Sequence, residues 1–143
     1  MAAVSKAEST WQGGLADGKG RVHVASGAFD DFEVTWAARA EHKSGATSPE
    51  ELLAAAHAAC YSMALSNGLG QAGHKPEELK VSAEVTFVPG EGITGIVLAV
   101  RGRVPGVDAE AFRAAAESAK ENCPVSKALA GTKITLGSAE LGG

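Results

Sequence analysis

The sequence lacks most of the features that mark specialised classes of protein. Aromatic residues make up only 5% of its 143 residues, and there are two cysteines, Cys60 and Cys123. No run of about 18 apolar residues occurs, so we expect no transmembrane helix. The net charge of -4 comes without a basic stripe, which makes nucleic acid and anionic membranes poor partners. The first ten residues lack a basic segment followed by an apolar core, so we expect no signal peptide and a cytoplasmic location.

Length and composition are those of an ordinary globular protein. Residues 1–143 are predicted to form a single domain, which at this size needs neither a metal nor a disulfide to fold. Hydrophobic residues make up 45% of the chain, and with so few aromatics the core must consist mainly of Ala, Val, Leu and Ile. In a reducing cytosol, two cysteines are more often catalytic, redox-active or simply buried than paired in a structural disulfide.

Local patterns predict both strands and helices. Alternating apolar residues predict strands, and glycine-rich breaks between the early strands indicate an antiparallel meander, while a Pro-Gly turn at residues 89–92 indicates a hairpin. The predicted strands cover residues 21–25, 32–38, 79–88, 93–104 and 134–136. Asp108 is a suitable N-cap for a helix over residues 109–121, and Pro124 suits the first position of a short helix to about residue 130.

The clearest local signal is the start of a long helix at Ser48. Ser48 suits the N-cap, Pro49 suits the first helical position, and Glu51 stands where a capping box places a glutamate that reaches back to the Ser48 backbone N–H. We expect the helix to continue to about Leu69, with Gly70 and Gly73 around its end.

This helix is apolar on nearly all sides. Between residues 52 and 65 only His57 and Ser62 interrupt the apolar run. A helix of that kind is buried on every face, either in a large core or at a subunit interface. Because the chain is small and has few aromatics, we infer that a second copy covers the helix and that the protein is a homodimer.

Five residues could carry chemistry. Cys60 lies too far from the helix N-terminus for the helix dipole to ionise its thiol. If Cys60 is a nucleophile, a cation must lower its pKa, and the candidates are Arg39, at the end of the strand before the helix, and His57. Cys123 lies at or beside the N-cap of the short helix, where free N–H groups can stabilise a thiolate. Glu50, unlike Glu51, is free to face a site and could hold an arginine in place.

The spacing of Glu50 and Cys60 adds a constraint. They are ten residues apart, which on one straight helix is roughly 15 Å along the axis. If both act in one site, either the chain bends between them or Glu50 meets Cys60 of a second subunit.

Two segments resemble the OsmC/Ohr family, the osmotically inducible and organic hydroperoxide resistance proteins. Residues 49–66 (PEELLAAAHAACYSMALS) resemble its cysteine helix, and residues 121–126 (ENCPVS) resemble its second cysteine motif. Residues 11–20 and 72–76 are more similar to the OsmC branch than to the Ohr branch. The likeness spans nearly the whole chain, with one minor departure: Ala46-Thr47-Ser48 stands where an asparagine before the proline is common.

The resemblance implies a thiol peroxidase that acts on organic hydroperoxides and needs no cofactor. Cys60 would form a sulfenic acid and Cys123 would close a disulfide with it. Arg39 would stabilise the Cys60 thiolate and Glu50 would orient Arg39. The family fold is α+β, an intertwined homodimer in which antiparallel sheets wrap around two central helices, with sites at the interface. A small dithiol or a lipoylated protein would be the reductant, and the apolar helix favours alkyl or lipid hydroperoxides over hydrogen peroxide.

Three alternatives are weaker. His57, three residues before Cys60, suggests a Cys–His hydrolase, but no third orienting residue is visible and a histidine on an apolar helix is usually a core residue. A metal site would need paired ligand spacing, which the cysteines and histidines (His23, His42, His57 and His74) lack. Finally, both cysteines could be structural in a non-catalytic dimeric module.

Overall fold

The computed structural model describes residues 2–41 and 45–142. The chain divides between Leu52 and Leu53 into two compact units, and each is described by itself below. The first residues of the predicted polar loop, including His42, lie outside the described residues. No helix in the described ranges is both long and apolar enough to cross a bilayer.

The N-terminal unit contains an antiparallel three-stranded meander, as predicted from the glycine-rich breaks. Strands β1 (Ala7–Gln12), β2 (Lys19–Val24) and β3 (Phe32–Val34) pair in that order. Gly20 lies opposite Trp11 on one side and Val34 on the other. A Cβ at Gly20 would come within 2.9 Å of the Trp11 ring and 2.7 Å of Val34 Cγ2, so this close approach requires a glycine.

The prediction of a strand over residues 32–38 is wrong in its second half. Strand β3 ends at Val34, and the chain then forms a short helix, α1 (Trp36–Glu41), which carries Arg39. Thr35 explains the change, because its hydroxyl accepts a hydrogen bond of 3.0 Å from the Ala38 backbone N–H, as an N-cap threonine does. Arg39 therefore lies on a helix and not at the end of a strand.

Helix α2 (Pro49–Gln71) begins where the sequence predicts. The Ser48 hydroxyl accepts a hydrogen bond of 3.1 Å from the Glu51 N–H, and the Glu51 carboxylate accepts one from the Thr47 hydroxyl. The helix ends two residues later than predicted. Gly73 has a φ of +88°, and the His74 N–H returns to the Leu69 carbonyl at 2.8 Å, which closes the last turn.

The C-terminal unit is built on a second three-stranded sheet. Strands β4 (Glu78–Val88) and β5 (Gly92–Arg103) form the predicted antiparallel hairpin. Strand β6 (Ile134–Leu141) pairs in parallel with β5, so this sheet is mixed and the expectation of antiparallel sheets is wrong for it. Strand β6 continues five residues beyond the three that alternation predicts. Helices α3 (Ala109–Asn122) and α4 (Pro124–Ala128) form the connection from β5 to β6, and Asp108 caps α3 as predicted, through a 2.8 Å bond from the Ala111 N–H.

The core of this unit lies between α2, α3 and the sheet. Helix α2 contributes one face, on which every fourth residue from His57 to Leu69 is buried. Buried side chains from β5, α3 and β6 complete the core; they are Ile96, Leu98, Val100, Phe112, Ala116 and Leu136. The prediction that α2 is covered on all sides does not hold within one chain, because Ala55, Ala56, Ala59 and Met63 are exposed.

Gly102 provides a test of this packing. A Cβ at this position would lie 2.8 Å from Phe112 Cζ and 3.0 Å from Leu79 Cδ2. Because Phe112 is fully buried and cannot move aside cheaply, Gly102→Ala should lower the free energy of unfolding by about 1–3 kcal/mol. Denaturant unfolding at fixed protein concentration measures this change.

The matched control is Gly95→Ala in the same strand, where a Cβ meets only the Lys133 carbonyl oxygen at 3.7 Å. Both variants restrict the unfolded chain equally, so we expect Gly95→Ala to stay within about 0.5 kcal/mol of the parent protein. Equal stability of the two variants would show that the contact between Phe112 and Gly102 is not tight.

Candidate active site

The two cysteines, far apart in the sequence, are in contact in the C-terminal unit. Cys60 is half-buried on α2, Cys123 is fully buried at the start of α4, and both are free thiols. The two thiols are close enough for each to shift the pKa of the other.

Pro124 fixes the position of Cys123. The Cys123 N–H ends α3 by bonding to the Ala119 carbonyl at 2.9 Å, and Pro124 begins α4 immediately afterwards. A residue before proline is held in extended backbone, and Cys123 has φ -59° and ψ 125° accordingly. Cys123 therefore lies at the corner between α3 and α4, and the backbone of these two helices sets the direction of its side chain.

Backbone and side-chain donors surround the Cys123 sulfur. Burial raises the pKa of this thiol, but the Ser126 N–H, the Cys60 thiol, the Ser126 hydroxyl and the Val125 N–H together outweigh it, so the pKa is lowered. The sulfur makes no regular N-cap hydrogen bond, and the N–H groups therefore act on it as nearby dipoles. This local field favours a thiolate at Cys123.

The local field at Cys60 has the opposite sign. Burial raises the pKa of the Cys60 thiol, and so do its hydrogen bond to Cys123 and the charge of that sulfur, while the Val125 N–H opposes them. Within residues 53–142, the groups around the pair therefore ionise Cys123 before Cys60. A nucleophilic Cys60 needs a further positive charge.

His57 forms a hydrogen bond with Ser126, a residue for which no role is predicted from the sequence. Its Nε2 lies 2.7 Å from Ser126 Oγ, and both side chains are buried. His57 Nδ1 has no hydrogen-bond partner among the described residues, and burial lowers the pKa of the ring. Because Nε2 is bonded to Ser126, the geometry gives no support to a Cys60–His57 hydrolase. Ser126 could have been noticed as the third residue after the N-cap Cys123.

Arg39 and Glu50 form a bidentate ion pair in the N-terminal unit. Arg39 Nε lies 3.0 Å from Glu50 Oε1, and Nη2 lies 2.9 Å from Oε2. Glu50 is only 5% exposed, so its charge must be compensated, and the planar guanidinium fork does this while being held in one orientation. Glu50 is in the first turn of α2, where the helix dipole also favours a carboxylate.

The four residues thus form two pairs, one in each unit: the thiols Cys60 and Cys123, and the ion pair Arg39–Glu50. As for metals, no three His, Cys, Asp or Glu side chains within the described ranges are placed to share an ion.

Comparisons with known proteins identify the family of this chain. The family model described as "OsmC-like protein" matches residues 41–137. Peroxiredoxin OsmC of Escherichia coli (strain K12) is 42% identical over 134 residues, which are 92% of each chain. Organic hydroperoxide resistance protein OhrA of Bacillus subtilis (strain 168) is 36% identical over 105 residues, 71% of this chain and 74% of that one.

A solved structure shows the same fold. The organic hydroperoxide resistance protein OhrB of Bacillus subtilis superposes with a TM-score of 0.68 at 28% identity, covering 96% of this chain and 98% of the other. The expected α+β OsmC-like fold is thereby confirmed, and the chain belongs to the OsmC/Ohr family, in its OsmC branch.

Proposed function

We propose that this protein is a thiol-dependent peroxidase that reduces organic hydroperoxides to alcohols. The observation that carries the proposal is the contact between the free thiols of Cys60 and Cys123. Relatives named as a peroxiredoxin and as an organic hydroperoxide resistance protein support it. Two adjacent thiols that must be reduced to act also fit the reducing environment of the cytoplasm, and we propose that the protein is located there. Its proposed role is defence against oxidative and osmotic stress, and we propose that residues 1–143 form a single domain.

Exposure separates the roles of the two cysteines. Cys60 is half-buried and Cys123 is 0% exposed, so a peroxide arriving from solution meets Cys60 first. In the first step the Cys60 thiolate attacks the terminal oxygen of the hydroperoxide. The O–O bond breaks, an S–O bond forms, and the alkoxide takes up a proton and leaves as the alcohol. The peroxide gains two electrons and Cys60 becomes a sulfenic acid.

Cys123 completes the cycle. Its thiolate attacks the sulfur of the sulfenic acid, an S–S bond forms, the S–O bond breaks, and the hydroxide leaves as water with one proton. A dithiol then reduces the disulfide by thiol exchange, in which the reductant becomes a disulfide itself and both cysteines return as thiols. We propose a small dithiol or a lipoylated protein as this reductant.

Arg39 is the proposed source of the positive charge that Cys60 needs. The groups described around the thiols raise the pKa of Cys60, and a guanidinium close to the sulfur would lower it. The bidentate contact with Glu50 holds the fork of Arg39 rigid, so that little side-chain freedom is lost when it meets the thiolate. Glu50 is thus proposed as the residue that orients Arg39.

The exposed face of α2 supports a homodimer. Between residues 55 and 63 this face consists of small or apolar side chains, and Met63 on it is 71% exposed. An exposed apolar stripe on a helix is normally covered by another protein surface. We propose a second copy of the chain as the cover, with the two α2 helices at the centre of an intertwined dimer and the sheets wrapped around them.

The proposed dimer also explains how Glu50 and Cys60 could act in one site although they are far apart on the same helix. Glu50 and Cys60 lie ten residues apart on one continuous helix, roughly 15 Å along its axis. We therefore propose that the Arg39–Glu50 pair of one subunit acts on Cys60 of the partner subunit. The small and apolar side chains next to Cys60 on α2, among them Ala56, Ala59 and Met63, favour alkyl or lipid hydroperoxides as substrates.

Cysteine variants test the reaction. In an assay with cumene hydroperoxide and a dithiol reductant, Cys60→Ser should reduce turnover at least a hundredfold, because the nucleophile is lost. Cys123→Ser should still react once with the peroxide and then accumulate a sulfenic acid that dimedone traps. Full peroxide consumption by Cys60→Ser would instead support a non-catalytic module, and faster turnover of hydrogen peroxide than of cumene hydroperoxide would refute the substrate class.

Mixed dimers test the shared site. A heterodimer of one Glu50→Ala subunit and one Cys60→Ala subunit places both lesions in one site and leaves the other intact, if Glu50 acts across the interface. We expect about half the activity of the parent dimer, since one of two sites remains. The control is a heterodimer in which one subunit carries both substitutions, which should be inactive under the same hypothesis. Activity of this control together with inactivity of the first heterodimer would place Glu50 and Cys60 of the same subunit in one site.

A further inference from the structure

The buried pair of His57 and Ser126 is not used by the reaction proposed above. The His57 ring is 0% exposed and Ser126 is 6% exposed, and Nε2 and Oγ are 2.7 Å apart. Ser126 is the third residue of α4, whose N-cap is Cys123, and its hydroxyl is close enough to the Cys123 sulfur to lower the pKa of that thiol. The pair therefore extends from α2 to the sulfur of Cys123.

Core packing alone does not explain a histidine at this position. His57 Nδ1 is buried without a partner among the described residues. Burying this nitrogen removes its hydrogen bond to water and lowers the stability of the folded state. A leucine or phenylalanine would fill the space with no unpaired polar atom. What the histidine adds is the bond from Nε2 to Ser126.

The direction of the hydrogen bonds follows from the charge on Cys123. A thiolate has no proton to donate, so the Ser126 hydroxyl must donate to it. Ser126 Oγ can then only accept from His57, which requires the neutral ring with its proton on Nε2. Burial keeps the ring neutral, and the unpartnered atom is then a lone pair of Nδ1, which is less costly to bury than an unpaired N–H.

We propose that His57 and Ser126 are positioning residues for the second chemical step, in which the Cys123 thiolate attacks the Cys60 sulfenic acid. His57 holds the Ser126 hydroxyl so that its proton points at Cys123 Sγ, and the hydroxyl keeps that sulfur ionised and aimed at its target. No proton or electron passes to His57. The thiolate supplies the electron pair of the S–S bond, the S–O bond breaks, and the departing hydroxide takes up one proton from the buffered solvent and leaves as water. This inference rests on the proposed peroxidase function.

Because the two residues act only on Cys123, the inference predicts a selective kinetic defect. In single-turnover reactions with one equivalent of cumene hydroperoxide, Ser126→Ala and His57→Phe should form the sulfenic acid at a rate within about twofold of the parent protein. Disulfide formation should slow about tenfold, because a hydrogen bond to a charged sulfur is lost. Dimedone trapping and mass spectrometry at timed intervals measure the two steps separately.

Two further variants guard against a merely structural effect. Ser126→Thr keeps the hydroxyl and should restore disulfide formation to within about threefold of the parent rate. Ser82→Ala removes an exposed serine of β4 and should change neither step. Since His57→Phe removes an unpaired polar atom from the core, it should unfold at the same or higher denaturant concentration while resolving the sulfenic acid more slowly.

These experiments distinguish a failure of the positioning role from a failure of the proposed peroxidase function. If the parent protein forms neither a sulfenic acid nor a disulfide, the peroxidase proposal fails. If the parent protein forms both, and Ser126→Ala and His57→Phe close the disulfide at the parent rate, the positioning role is overturned and the peroxidase remains. An equal slowing of both steps, or a failure of Ser126→Thr to recover, would also overturn it.

Discussion

The contact between the sulfurs of Cys60 and Cys123 is the constraint on which the proposed chemistry depends. A sulfenic acid in the interior is useful only if a second thiol reaches it before further oxidation does. The fold meets this condition by placing one cysteine on the long helix α2 and the other at the corner between α3 and α4. Tyr61, next to Cys60, holds α2 against α3, because its buried hydroxyl donates a hydrogen bond to the Ala116 carbonyl of α3 at 2.8 Å.

The charged groups of the proposed site differ between the two units. In the C-terminal unit, N–H and O–H donors around α4 lower the pKa of Cys123, whereas burial and the neighbouring Cys123 raise the pKa of Cys60. In the N-terminal unit, a buried carboxylate holds a guanidinium in one orientation. Cys60 needs a positive charge to lower its raised pKa, and the Arg39 guanidinium, held in one orientation, is a charge of that sign. This complementarity, together with the uncovered apolar face of α2, is the reason for proposing that two chains complete each site.

Much of the fold could be predicted because its signals are local. The Ser48 cap, the Asp108 cap and the alternation in β4 and β5 each act over a few residues, and the structure contains the elements they indicate. The error at Arg39 came from the same kind of reasoning. Phe32, Val34 and Trp36 alternate as in a strand, but Thr35 caps a helical turn between them, and a local cap of this kind outweighs a three-residue pattern.

The site was less accessible from sequence because its contacts are tertiary. Spacing alone cannot show that Cys60 meets Cys123, and only the likeness to a known family suggested the pair. The bond between His57 and Ser126 joins residues 69 positions apart, so the sequence alone predicts an ordinary core histidine at position 57 and no role for Ser126. The position of Ser126 three residues after an N-cap cysteine was the one local signal available.

The most direct test of the sulfur contact is the dependence of disulfide formation on protein concentration. Disulfide formation after one equivalent of cumene hydroperoxide should follow a first-order rate constant that stays the same over a hundredfold dilution of the protein. Non-reducing electrophoresis should then show single chains only, because Cys60 and Cys123 of one chain have bonded. A rate that rises with protein concentration, or disulfide-linked pairs of chains, would contradict the account.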